Sequence, residues 1–235
     1  MLRHSLLALI AFLSVSCQTA VIHENATVVV KDVQIPSSMP WYSRFAKHTF
    51  IDYRDAPGQP WHRLEIVNKN SGIDHGPISA AQAHSPRRWG ERVRILKQVR
   101  EETPNTSQDI RAFAARYDAS VYRAWPGPNS NTFAEELLRS SKGIAAVIDH
   151  NAIGKEHDFY FGPTAGGTGL EIQTPLLGTA LGLREGVELN LIGLTFRVSF
   201  WPPSLQLPFL PAVLPGAPRL APPPHQPAPS PQSAE

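Results

Sequence analysis

A serine at a helix start, a histidine on an early strand and a glutamate on the following strand are the residues of this chain whose types and order could do covalent chemistry. The densest local signal is Ala124-Trp125-Pro126-Gly127-Pro128-Asn129-Ser130-Asn131-Thr132-Phe133. Its two prolines and glycine make a stiff, irregular loop that delivers Asn129, Ser130 and Asn131 to the start of a helical stretch. Free N–H groups and the positive end of a helix dipole stabilise a developing oxyanion there, and a neighbouring Asn side chain can add a donor. The plainer use of the same short polar residues is to cap the helix. Serine is a weak nucleophile near neutral pH unless a base takes its proton. His48, in Phe45-Ala46-Lys47-His48-Thr49-Phe50-Ile51, is the candidate base, although a histidine in a strand also serves simply as a packed or surface residue. The next strand, Trp61-His62-Arg63-Leu64-Glu65-Ile66-Val67, supplies candidate orienting groups. His62 and Glu65 are three apart and point to opposite faces of a regular strand, so at most one can serve, and Glu65 would fix the imidazole tautomer as triad logic demands.

The elements that must position these residues read as a mixed fold. Phe45 to Arg54, Trp61 to Val67 and Glu91 to Val99 carry strand patterns bounded by Pro, Gly or Asn, and Thr27 to Ile35 is a further candidate. Ser107 to Tyr117 predicts a helix, with Ile110, Phe113, Ala114 and Tyr117 on one face. A second helix is predicted from Thr132 to Ser140, opened by the capping box Thr132-Phe133-Ala134-Glu135. Gly169 to Gln173 and Val187 to Phe200 again read as strands. Without regular βαβ alternation the order implies an α+β fold with a largely antiparallel sheet and a few helices.

The two ends differ from this middle. Arg3 and His4, the apolar run Leu6 to Leu13, then Ser14 and Ser16 follow the basic, apolar, small-residue order of a secretory signal, too short to span a bilayer. Cys17 follows at once, where a lipobox requires it. We therefore expect a lipoprotein signal peptide over 1–16 and a lipidated Cys17 that anchors the protein to a membrane of the bacterial cell envelope. Gln18 after the cysteine favours the outer membrane, facing the periplasm. Residues 17–40 are expected to be anchor and linker, 41–210 a single globular domain, and 211–235 a Pro-rich disordered tail. Residues 202–235 hold about half of the 23 prolines.

Composition excludes several functions. A net charge of +2 is too mild for a nucleic-acid binder. Arg87, Arg88, Arg92, Arg94, Lys97 and Arg100 do gather, but their alternation with apolar residues predicts a solvated strand face, with attraction to anionic lipid as the other reading. Gly162 to Gly169 has neither P-loop nor Rossmann spacing and predicts a turn before a strand. The histidines lack metal-ligand spacing, so no metal and no cofactor are expected.

Four strings carry a family resemblance: Lys47-His48-Thr49-Phe50-Ile51, the Trp125 to Phe133 loop, Ala152-Ile153-Gly154-Lys155 and Glu188 to Phe196. Together they resemble a bacterial family known as domain of unknown function 3750, over about residues 40 to 210. A more distant likeness lies in the order of histidine on an early strand, polar residue on the next and Asn-nucleophile-x-x-Phe at a helix start. That order resembles the circularly permuted papain-like hydrolases of NlpC type. It implies a permuted papain-like groove with Ser130 where those enzymes carry cysteine. The expected function is an envelope lipoprotein whose groove binds a peptide, glycan or lipid without catalysis. The alternative is a serine-dependent amide or ester hydrolase or acyltransferase using Ser130, His48 and Glu65, with Asn129 and Asn131 in an oxyanion or binding loop.

Overall fold

The computed structural model describes residues 21–39, 44–68, 70, 72–100, 105–141 and 143–212. The expected signal peptide, Cys17 and residues 213–235 of the Pro-rich segment lie outside the described residues. Val28, Val29, Val30 and Val33 make Ala26–Gln34 a β-branched run buried on both faces, and this strand, β1, is central in the first sheet. The other strands of that sheet are β2 (Lys47–Tyr53), β3 (Trp61–Glu65), β4 (Asp74–Ile78), β5 (Arg87–Arg88) and β6 (Glu91–Arg100), in the order β4-β3-β2-β1-β6-β5. All its pairings are antiparallel. The expected start of the domain at residue 41 is therefore corrected. Part of the 17–40 segment read as linker is β1, held between β2 and β6, because a valine-rich strand gains most from burial on both faces.

A short helix α1 (Ala80–Ala83) precedes β5, and α2 (Thr106–Arg116) follows β6. Ile110, Phe113 and Ala114 of α2 are buried at the predicted spacing, against Phe133 and Leu137 of α3 (Ser130–Ser140) and Val28, Ile51 and Leu64 of the sheet. Helix α3 starts two residues before the expected Thr132. Its N-cap is Asn129, whose side chain accepts from the N–H groups of Asn131 and Thr132, while Thr132 Oγ1 accepts from the Asn129 N–H at 3.0 Å. Thr132 thus occupies the third position of the box rather than the first.

The second sheet contains β7 (Tyr160–Pro163), β8 (Gly169–Gln173), β9 (Leu177–Gly182), β10 (Gly186–Leu191), β11 (Leu194–Phe200) and β12 (Pro203–Gln206), in sequential antiparallel order. Thr164 to Thr168, the middle of the Gly162 to Gly169 stretch, forms the expected turn between β7 and β8. Among the described residues, two antiparallel sheets with three short helices show the α+β class. The inner face of the second sheet is polar: Glu171, Gln173, Glu188, Asn190 and Arg197 are all buried. Arg139 of α3 meets Glu171, and Lys155 donates to Glu188 at 3.0 Å. Among the described residues no helix is long and apolar enough to cross a membrane.

Candidate functional site

The start of α3 is clamped onto β2 on either side of His48. Asn131 Oδ1 accepts from the Thr49 N–H at 3.0 Å, and its Nδ2 donates to the Lys47 carbonyl at 2.9 Å. Asn129 Nδ2 donates to the carbonyls of Ala124 and Ile153 at 3.0 and 2.9 Å. These bonds fix the neighbouring Ser130. Gly154 takes φ +80°, and a Cβ there would come within 2.4 Å of Asn129 Nδ2 and 2.8 Å of the Pro126 carbonyl, so the loop closes only over a glycine.

Ser130 Oγ and His48 Nδ1 are 3.1 Å apart, and His48 Nε2 lies 2.8 Å from Glu65 Oε2. With Glu65 ionised, Nε2 carries the proton and donates to the carboxylate, leaving Nδ1 to accept from the serine hydroxyl. The ring is reversed relative to the serine-protease triad, in which Nε2 faces the serine. The sheet register explains the contact. Asp52 pairs with Arg63 and Ile51 with Leu64, which sets Glu65 on the same face as His48 and Phe50. All three groups are buried, at 7% (Ser130), 4% (His48) and 1% (Glu65) exposure. His62 points elsewhere and stacks on Tyr53.

Glu65 is further held by Arg88, which pairs with its second oxygen. Burial alone would raise the Glu65 pKa, but the hydrogen bond and charge of His48, then the charges of Arg88 and Arg63, outweigh it and lower the pKa. The Arg88 guanidinium lies over the rings of Phe50 and Trp89, and Trp89 packs against His48 with ring centroids 5.1 Å apart. The solvated-face expectation is thus corrected for one of the clustered arginines, Arg88, while Arg94 stays exposed. Arg88 turns inward because Glu65 needs a partner, and Arg94 pairs with Asp32 and Asp149.

Asn129 and Asn131 are brought beside Ser130, but their amides are engaged in the clamp. The expectation that they supply oxyanion donors is corrected: each Nδ2 already donates to backbone carbonyls. The Asn129 cap takes the N–H groups of Asn131 and Thr132 and not that of Ser130, which stands at the helix start beside its own Oγ.

Two cavities, about 390 and 470 Å³, meet at Ser130 and share Ile35, Tyr122 and Ala124. One extends over Trp125, Ile153 and Phe209, the other over Met39, Val67 and Trp89 beside His48. Among the described residues neither is lined by Asp, Glu, Lys or Arg. A larger cavity, about 580 Å³, is lined by Arg44, Lys47, Arg94 and Asp149 but by none of Ser130, His48 and Glu65. The two at Ser130 are therefore the ones that bear on its chemistry. One group of described residues has ligand atoms close enough for a metal, the buried Glu135, Glu156 and Glu171, with Arg139 and Lys155 already paired to these carboxylates.

The site and fold define an α+β protein with a buried serine–histidine–glutamate chain opening on an uncharged cleft. The chain belongs to the family described as protein of unknown function (DUF3750), whose sequence profile matches residues 28–157. That span contains His48, Glu65 and Ser130 and ends before the second sheet. No curated protein and no solved structure matches the chain. Sequence reasoning missed Trp89 and the inward role of Arg88, whose only local signal is a charged and an aromatic residue ahead of the turn glycine Gly90.

Proposed function

We propose that this protein is a serine hydrolase or acyltransferase of the cell envelope that acts on an ester or amide carrying a long apolar acyl group. The observation that carries the reading is the continuous hydrogen-bonded chain Ser130–His48–Glu65, with separations of 3.1 and 2.8 Å, at the junction of two uncharged cavities. Ser130 Oγ attacks the carbonyl carbon and its proton passes to His48 Nδ1. Glu65 stabilises the resulting imidazolium through Nε2–H. The oxyanion forms at the helix start, where the Ser130 N–H and the dipole of α3 favour negative charge. Collapse breaks the bond to the leaving alcohol or amine, which takes the proton from His48. Water or a second alcohol or amine then attacks the acyl-serine. The residue order also matches the permuted papain-like resemblance, with serine in place of cysteine. Cavities of this size and lining suit alkyl chains better than charged peptides.

A fluorophosphonate probe tests the reading: wild type is labelled, and Ser130→Ala loses labelling by at least about tenfold. Equal labelling of the two, together with full complementation of a deletion by Ser130→Ala, would favour a groove that binds without cutting and overturn the proposal.

The envelope location rests on the signal-like segment 1–16 and on Cys17. Cys17→Ala is expected to abolish palmitate labelling and membrane retention, and retention of both would remove the anchor from the proposal.

A further inference from the structure

The second sheet is apolar on the wrong side for an isolated chain. Its inner face is the polar one described above, whereas the outward positions of β7 to β12 form cross-strand rows of large apolar side chains. One row runs through registered pairs from Leu170 to Leu181, Val187, Val198 and Leu205, crossing five strands. The next runs from Phe161 to Ile172 and, beyond Thr179, to Leu189 and Phe196. Leu177 and Leu191 pair in a third. Exposure is high across most of these rows, 60% for Leu181, 77% for Phe161 and 48% for Leu189, with Phe196 half-buried. Thr179 is the one polar residue among the outward positions of these strands, and none is charged. Soluble monomers rarely expose an apolar patch beyond a few hundred Å².

We infer that this face is a homodimer interface, with two copies of the chain packed sheet on sheet. Three observations select a second copy over other occupants. First, among the described residues β7 and β12 are the edge strands of the sheet, and backbone groups left open at such edges would enter hydrocarbon if the face were immersed in lipid. Face-to-face sheets keep such edges at the solvated rim, about 10 Å apart across an apolar layer. Second, a face without charges meets its own copy about a two-fold axis with no like charges opposed. Third, the size fits. About a dozen large side chains losing roughly 80 Å² each amount to about 1,800–2,000 Å² over both copies, within the range of stable interfaces. Residues 213–235 carry only three large apolar side chains, Val213, Leu214 and Leu220, against about a dozen on the face.

Cross-linking of the full chain in the intact envelope tests the inference. Leu189→Cys sets a thiol near the middle of the face, and a bismaleimide with a spacer of about 10 Å is expected to convert most of the chain to a covalent dimer. Wild type, whose one cysteine is Cys17, and Ser120→Cys, exposed and outside the strands of the sheet, are expected to give less than about a tenth of that yield. Leu181→Asp in the Leu189→Cys background opposes like charges across the interface and is expected to lower the dimer at least about tenfold at unchanged chain level. A dimer yield no higher than that of Ser120→Cys, or one unaffected by Leu181→Asp, would overturn the inference.

Discussion

Burial would push the Glu65 carboxyl towards its protonated form, and a protonated Glu65 could not stabilise a histidine that has just accepted a proton. The positive charge of Arg88, paired with the second carboxylate oxygen, opposes that drift, together with His48 and Arg63. Arg88 is therefore a positioning residue: it touches neither Ser130 nor the cleft and acts through Glu65. Arg88→Met, which keeps the stacking volume over Phe50, is expected to lower kcat/KM about 10- to 100-fold, or about 1.4–2.7 kcal/mol. It should also move the acid limb of the pH–rate profile to higher pH. The sign follows from the direction of the shift. Glu65 now ionises below its ordinary value, so removing a cation that lowers it lets protonation set in at higher pH on the way down. Arg88→Lys should restore the limb. A loss of rate with no movement of the limb would show that Arg88 only packs.

At the scale of elements, what the sequence made legible and what it hid separate along physical lines. The α2 helix and strands β2, β3 and β6 carried periodic patterns long enough to read directly. His48, Glu65 and Ser130 could be singled out because strand alternation and a helix start are local properties, and the parity of residues 62 and 65 already chose between two partners. The cap was ambiguous because Asn129 and Thr132 are both cap-competent. Asn129 wins since its oxygen reaches two N–H groups while Thr132 turns its hydroxyl to the Gly154 carbonyl. The roles of Asn129, Asn131 and Arg88 were hidden because their partners lie on other elements: Thr49 is 82 residues from Asn131, and Glu65 is 23 from Arg88. In the second sheet only Gly169 to Gln173 and Val187 to Phe200 read as strands, and a strand pattern does not say which face is buried. Here the buried face is the charged one.

At the scale of the whole molecule, that charged layer joins the second sheet to the helix that carries Ser130. Four ion-paired carboxylates, Glu135, Glu156, Glu171 and Glu188, face three cations, Arg139, Lys155 and Arg197, and Glu185 is buried against the same space, so the layer holds more acids than it can neutralise by pairing. Burial, then the Glu156 charge, pushes Glu135 up to about 7, and burial with the charges of Glu156 and Glu135 pushes Glu171 up to about 9. A carboxyl whose folded pKa is raised contributes stability that is present below its ordinary value of 4.5 and is lost as pH rises through the folded value. The attachment of the second sheet should therefore weaken between about pH 5 and 9. His75 and His157, both lowered by burial, act in the opposite direction below about 6.5, so the informative quantity is a difference between variants. Glu171→Gln keeps the shape of the protonated acid and removes its titration. Between pH 5 and 9 the Tm of wild type is expected to fall by about 5–10 °C more than that of Glu171→Gln, an effect of a few kcal/mol in a chain of this size. Parallel Tm–pH curves for the two proteins would show that the layer does not hold its extra proton at Glu171.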